Sequence, residues 1–286
     1  MKVDHLSLST TPVHLFKGND LVSQGTGFYY VGQFDKDHVL FLVTNYHVLT
    51  GASPSEGKTP IGDHVSFQLH QSEEETGKTK TVQFPLFTKT GRPVWITNPD
   101  FPEADMALIP IVQPLCQDCK VFGISEQWAT PKMLIRPATT VTLVGYPYGY
   151  YDIKNALPIW KTGTVASEPA IDFDGKPLLL VDVSAFPGMS GSPVFAIASG
   201  IYEKADGSAV TPGSVREFLG IYASMQMVGK DKFLEQIAHS AKLGIRDYES
   251  LEIGHVWKAK LVIDTAKKID IGRYESEILK DLQGKA

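Results

Sequence analysis

Three short segments carry the residue types of a proton relay to a nucleophile. TNYHVLTGA, residues 44–52, presents His47 after the apolar run HVLFLV. EADMALIPI, residues 103–111, places Asp105 at the start of an apolar run, and FPGMSGSPVF, residues 186–195, places Ser190 between two such runs. A serine hydroxyl is almost wholly protonated at neutral pH and attacks poorly. An imidazole that titrates near the working pH can take that proton during attack and return it to the leaving group. A carboxylate on the far ring nitrogen fixes the tautomer and stabilises the imidazolium. Gly188 and Gly191 let the backbone bend around Ser190, so that amides can converge on the oxyanion of a tetrahedral intermediate. A lone His after a strand, or a lone Asp before one, is usually structural. Together, each at a strand end and in the order His, Asp, Ser, they point to His47 as base, Asp105 as its orienting acid and Ser190 as nucleophile.

The elements that must hold these residues are short β-type runs bounded by turn residues: 26–31, 38–44, 64–70, 81–87, 106–111, 139–145, 178–184, 193–198 and 217–224. Some alternate apolar and polar residues, and others are continuously apolar, as in a closed barrel. Such a pattern predicts an all-β protein, and 286 residues suit two small barrels sharing a cleft. Helical periodicity comes late. DKFLEQIAHSAK, residues 231–242, puts Phe233, Leu234, Ile237 and Ala241 on one stripe. Further helical pieces are expected near 261–269 and 274–282, and residues 113–136 read as the connection between halves.

The three segments resemble the trypsin/chymotrypsin superfamily of serine peptidases, most closely its bacterial members related to the high-temperature-requirement proteases. TNYHV is similar to their T-N-x-H-V motif, ADMALIPI to D-[ILM]-A-[LV], and GMSGSP to G-x-S-G-[GS]-P. FLGIYASM, residues 218–225, resembles the strand lining the substrate cleft, and EIGHVWKAKLVIDTA, 252–266, the last strand and C-terminal helix. The resemblance implies two packed six-stranded antiparallel β-barrels, chymotrypsin-like, with C-terminal helices. Residues 1–120 would carry His47 and Asp105, and 121–270 would carry Ser190 with a helical insertion at 226–251; 271–286 would form a tail. It implies a serine endopeptidase acting through an acyl-enzyme, with the amides of Gly188 and Ser190 as oxyanion hole. Ser184, Ala223, Met225 and Gly254 would line the primary specificity pocket.

The departures from that pattern are informative. Met189 stands where digestive relatives keep an Asp that pairs with a newly cut N-terminus, so activation through that ion pair is absent. Ser184 at the pocket base does not favour Arg or Lys, and a small-to-medium uncharged side chain is expected there. Ala223 replaces the family's frequent Ser or Thr beside the catalytic Asp, and Ser224 could substitute only through a register slip. The alternative function is an inactive peptidase-fold binding or scaffold module, which a complete triad opposes. An α/β-hydrolase needs G-x-S-x-G on a strand-to-helix elbow, with acid and His following the Ser; here Ser190 lies in Gly-Met-Ser-Gly-Ser, followed by Pro193 and a β-type run.

Composition narrows the rest. Net charge is −5, without a basic block, so no nucleic-acid partner is expected. No apolar stretch reaches a membrane span or a signal-peptide core, which makes cytoplasmic the default expectation. The two cysteines, Cys116 and Cys119, form a C-x-x-C that could be redox-active or half of a zinc site. With no second pair they read as reduced thiols in the connecting loop. The other histidines show no metal spacing, and no cofactor or metal is expected. The expected partner is a protein or peptide substrate, and because a permanently active cytosolic site would endanger its host, either narrow specificity or control by a regulatory protein is expected.

Overall fold

The computed structural model describes residues 3–34, 37–56, 59–235, 242–274, 276 and 278. A first sheet is built from β1 (Thr10–Lys17), β2 (Asp20–Phe34), β3 (Asp37–Thr44), β4 (His64–His70), β5 (Thr79–Pro85) and β6 (Ala107–Ile111). They are ordered β5-β4-β1-β2-β3-β6, every neighbour antiparallel. A short β7 (Ile124–Ser125) adds to β2 in parallel, so the first sheet reaches past the expected boundary at residue 120. The second sheet comprises β8 (Thr140–Gly145), β9 (Ile159–Val165), β10 (Leu178–Asp182), β11 (Pro193–Glu203), β12 (Val210–Glu235) and β13 (Lys242–Lys258). It closes as a six-stranded barrel, β10-β13-β12-β11-β8-β9. The fold is therefore two six-stranded antiparallel arrays of the chymotrypsin-like kind.

The first array stays open between β5 and β6. An irregular segment containing Pro93 and Pro99, which have no N–H to donate to a ladder, crosses the gap. There Val94 donates to the Leu86 carbonyl at 3.0 Å, and Ile96 and Leu108 exchange hydrogen bonds at 2.9 and 3.0 Å.

A buried cluster joins the two arrays. Phe28 of β2 meets Phe218 of β12 edge-on at 5.5 Å, and Phe218 meets Phe195 of β11 at 5.4 Å. Burying each such side chain is worth roughly 1.5–3 kcal/mol. The helices are α1 (His5–Leu8), α2 (Tyr46–Thr50), α3 (Ala259–Ala266) and α4 (Ile271–Tyr274). The amphipathic α3 closes the cluster with Leu261, Val262 and Ala266, where a helix was expected.

Among the described residues, the helix expected over 231–242 is not formed. Asp231–Glu235 continue β12, and Lys242 opens β13; residues 236–241 lie outside the described residues. The pairing of β12 with β13 runs from Tyr222 opposite Val256 outward to Glu235 opposite Lys242, with register shifts between residues 222 and 224 and between 225 and 227. A twelve-residue stripe is marginal as a helix on its own, and the pairing of its flanks decides the outcome. The helical insertion 226–251 is thus a two-stranded ribbon where described. Most of the expected piece at 274–282 also lies outside the described residues.

Candidate active site

His47 lies in the first turn of α2, directly after β3. Asn45 caps the helix start with extended backbone, and Gly51 ends it in the left-handed region, its amide bonded to the His47 carbonyl at 2.8 Å. Asp105 lies directly before β6. The pairing of Thr44 with Ala107 sets these two strand ends side by side. The Asp105 carboxylate takes both donors of His47: Nδ1 lies 2.6 Å from Oδ2, and the main-chain amide donates to Oδ1 at 2.9 Å. An ionised carboxylate only accepts, so Nδ1 carries the proton and Nε2 is left as the acceptor. The Asn45 amide donates to the Asp105 carbonyl at 2.5 Å, fixing the same turn from behind. The His47 side chain keeps a third of its surface exposed, open to a substrate.

Ser190 occupies the loop from β10 to β11. Three amides of this turn are committed: Met189 to Phe186, Gly191 to Tyr222 and Ser192 to Met189, at 3.0, 2.9 and 3.0 Å. The amides of Gly188 and Ser190 donate to no group among the described residues. Both flanking glycines have left-handed φ, +94° at Gly188 and +90° at Gly191. A Cβ at Gly191 would sit 1.9 Å from the Thr26 carbonyl, so no other residue fits.

Sequence reasoning missed the two residues that clamp this turn to the first array. Thr26 of β2 receives Gly188 and Ser190 together: its hydroxyl donates to the Gly188 carbonyl at 2.7 Å, and its amide to the Ser190 carbonyl at 2.8 Å. Gly25 lies between the His47 helix and the Ser190 turn. A Cβ there would stand 2.6 Å from a Val48 methyl and 3.0 Å from the Ser190 carbonyl. The signal was present in Gly25-Thr26-Gly27, a glycine pair inside a strand pattern, which marks close backbone approach.

The expected pocket residues divide. Met225 pairs with Gly254 across β12 and β13, and Ser184 is half-buried in the loop before Ser190. Ala223 is buried in the same apolar cluster as Ala104 and Met106, which flank Asp105 in sequence. No hydroxyl supports the carboxylate from this strand: Ala223 has none, and the Ser224 hydroxyl faces His255 Nδ1 at 3.4 Å. Tyr222, unanticipated, fills the space over Gly254, where a Cβ would meet its ring at 2.4 Å. Burial pushes the Tyr222 phenol up to about 12.

Cys116 and Cys119 are free thiols packed beside the first core. Burial pushes Cys116 up to about 11, away from nucleophilic thiolate chemistry. Among the described residues no three His, Cys, Asp or Glu side chains gather as a metal site, and no helix is long and apolar enough to cross a membrane.

Fold and site together define a trypsin-like serine peptidase architecture. Residues 25–200 match the trypsin-like peptidase domain model, and the chain belongs to that family. Among solved structures it is similar to the Rv3671c protease of M. tuberculosis in its inactive form, at 17% identity over 93% of this chain and 90% of that one, with a TM-score of 0.41. It is similar also to a serine endoprotease from Yersinia pestis, at 13% identity over 94% and 67%, TM-score 0.43. A third is an inactivated protease paralogue of the scabies mite, at 15% identity over 94% and 99%, TM-score 0.42. No curated protein matches the chain.

Proposed function

We propose that the protein is a serine endopeptidase that cuts peptide bonds through an acyl-enzyme. The observation that carries this reading is the joint arrangement of His47, whose two donors are both held by Asp105, and a Ser190 turn with two uncommitted amides. Ser190 Oγ attacks the scissile carbonyl while its proton passes to His47 Nε2. The amides of Gly188 and Ser190 receive the oxyanion. Each such donor is worth roughly 3–4 kcal/mol of barrier in enzymes where one was removed. His47 then gives the proton to the leaving amine, and water, activated by the same imidazole, releases the acyl group.

Tyr222 over Gly254 supports a small, uncharged side chain on the acyl side of the bond. Ser184 supplies no counter-charge for Arg or Lys. Met189 supports competence without an N-terminal ion pair. Control by a partner protein would act through the β12–β13 ribbon beyond Met225, whose edges extend the barrel strands outward. A ribbon deletion that left peptide selectivity and rate unchanged would remove that role.

The competing reading, an inactive binding scaffold, gains from the missing hydroxyl beside Asp105. An active-site probe separates the two. A fluorophosphonate should label the folded protein at Ser190, and the Ser190→Ala variant should not react. An unlabelled Ser190 in the folded wild type would sink the peptidase reading.

A further inference from the structure

Large apolar side chains are normally covered, and a cluster left open beside a reactive loop marks an interaction site. Such a cluster stands next to the Ser190 turn. Tyr148 is 64% and Phe186 43% exposed, and their rings meet at 5.9 Å. Tyr150, two residues on in the chain, is 73% exposed. Lys161 Nζ lies 5.1 Å from the Phe186 ring centroid, bracing that ring from its own strand.

Two features tie these rings to the reaction centre. Phe186 is four residues before Ser190 on one loop, and the Tyr148 amide donates to the Pro187 carbonyl at 2.6 Å, immediately before Gly188. Tyr148 also holds φ +52°, a left-handed conformation that a bulky residue rarely adopts. Strain of this kind persists where the surroundings fix it, and it concentrates at ligand-contacting positions. Here it turns an aromatic ring out into solvent, where burial offers no compensation.

We propose that Tyr148 and Phe186 form an aromatic platform that binds an apolar side chain of the polypeptide substrate near the scissile bond. The inference rests on the peptidase reading of Ser190 and adds a substrate class to it. Four residues of chain span at most about 14 Å, so the contacting side chain lies within about four residues of the bond cut. The occupant is the substrate because the platform is continuous with the loop that carries the nucleophile and the oxyanion amides. Selection would then come from this platform as well as from the narrow space left by Tyr222.

The test uses internally quenched peptides that differ by Leu or Ser at single positions within four residues of the cleavage site. It compares the wild type with Tyr148→Asn, which tolerates the left-handed backbone, with Phe186→Ser, and with the double variant. The surface control is Ile201→Ser, 75% exposed at the far end of β11. At one position the Leu peptide should show KM raised roughly three- to tenfold in the double variant, with kcat within about twofold. The matching Ser peptide should already bind weakly to the wild type and lose nothing further. An unchanged KM, or equal losses for both peptides, would overturn the platform. So would a collapse of fluorophosphonate labelling in the variants, which would mean that the rings only brace the Gly188 loop. A wild type that neither labels nor cuts marks failure of the peptidase reading instead; one that labels and cuts with KM insensitive to the platform marks failure of the platform alone.

Discussion

The two β-arrays hold their contributions to the site in different ways. The first array contains the His47–Asp105 pair entirely, set by one strand register, Thr44 opposite Ala107, and by two hydrogen bonds between the partners. The second supplies Ser190, but it does not hold that turn alone. Gly191 is tied to Tyr222 of its own barrel, while Gly188 and Ser190 are tied through their carbonyls to Thr26 of the other. The His47–Asp105 pair is thus a local property of one sheet, whereas the placement of the Ser190 turn is a property of the interface. The closed barrel gives rigidity; the open sheet reaches across with β2.

That division makes distinct predictions. Asp105→Asn leaves the strand register intact but replaces one of the two carboxylate oxygens with a donor NH2, so only one of the two His47 donors can still be met. We expect kcat to fall about 10³–10⁴-fold while the thermal midpoint moves by only a few degrees, measured by peptide turnover and circular dichroism. A melt that collapsed with the activity would show that the pair is structural to its sheet. Gly191→Ala should do the reverse. Its Cβ would collide with the Thr26 carbonyl at left-handed φ, so the interface must open. The expected cost is about 2–4 kcal/mol of stability, seen in urea unfolding, with activity lost as a consequence.

Thr26→Val keeps the shape of the clamp and removes its hydroxyl. The Gly188 carbonyl loses its donor and the Tyr146 amide its acceptor, both buried. Leaving such groups unpaired costs about 1–3 kcal/mol. The variant should label more slowly with fluorophosphonate, while the His47–Asp105 proton signal in NMR stays in place. If both change together, the two arrays are not separable as described.

The same contrast explains what the sequence made legible. His47, Asp105 and Ser190 announced themselves because each is a reactive residue at the end of an apolar run, and the structure joins the first two by hydrogen bonds. The strands around them were readable from alternation. Thr26 and Gly25 were not singled out, because their importance lies in what the other array places against them. Analogy placed Ala223 both in the pocket and beside Asp105; it lies in the buried cluster that also holds Ala104 and Met106, whereas Tyr222, which analogy did not single out, stands against Gly254. The stripe at 231–242 misled at its described ends for a related reason: local periodicity was helical, but residues 231–235 pair with 242–246 across β12 and β13. β1 and β9 escaped notice because Pro12 and Gly163 interrupt patterns that only neighbouring strands complete.

The smallest expected effect concerns three buried or half-buried histidines, which fall in both arrays. Burial lowers the pKa of His70 despite its contact with the Thr76 carbonyl at 2.8 Å, and burial also lowers His14 and His255. His14 and His70 belong to the first array and His255 to β13. A histidine whose folded pKa is depressed binds its proton more readily when unfolded. Its contribution to stability is therefore complete above the unfolded value, about 6.5, and is lost as pH falls through that value toward the folded one. The melting temperature should drop between pH 7.5 and 5.5. His70→Gln, which can still donate to the Thr76 carbonyl, should reduce that drop by roughly 2–4 °C, and His255→Gln should reduce it less, because His255 is only half-buried whereas His70 is buried. Equal slopes in wild type and both variants would show that neither array stores its acid sensitivity in these side chains.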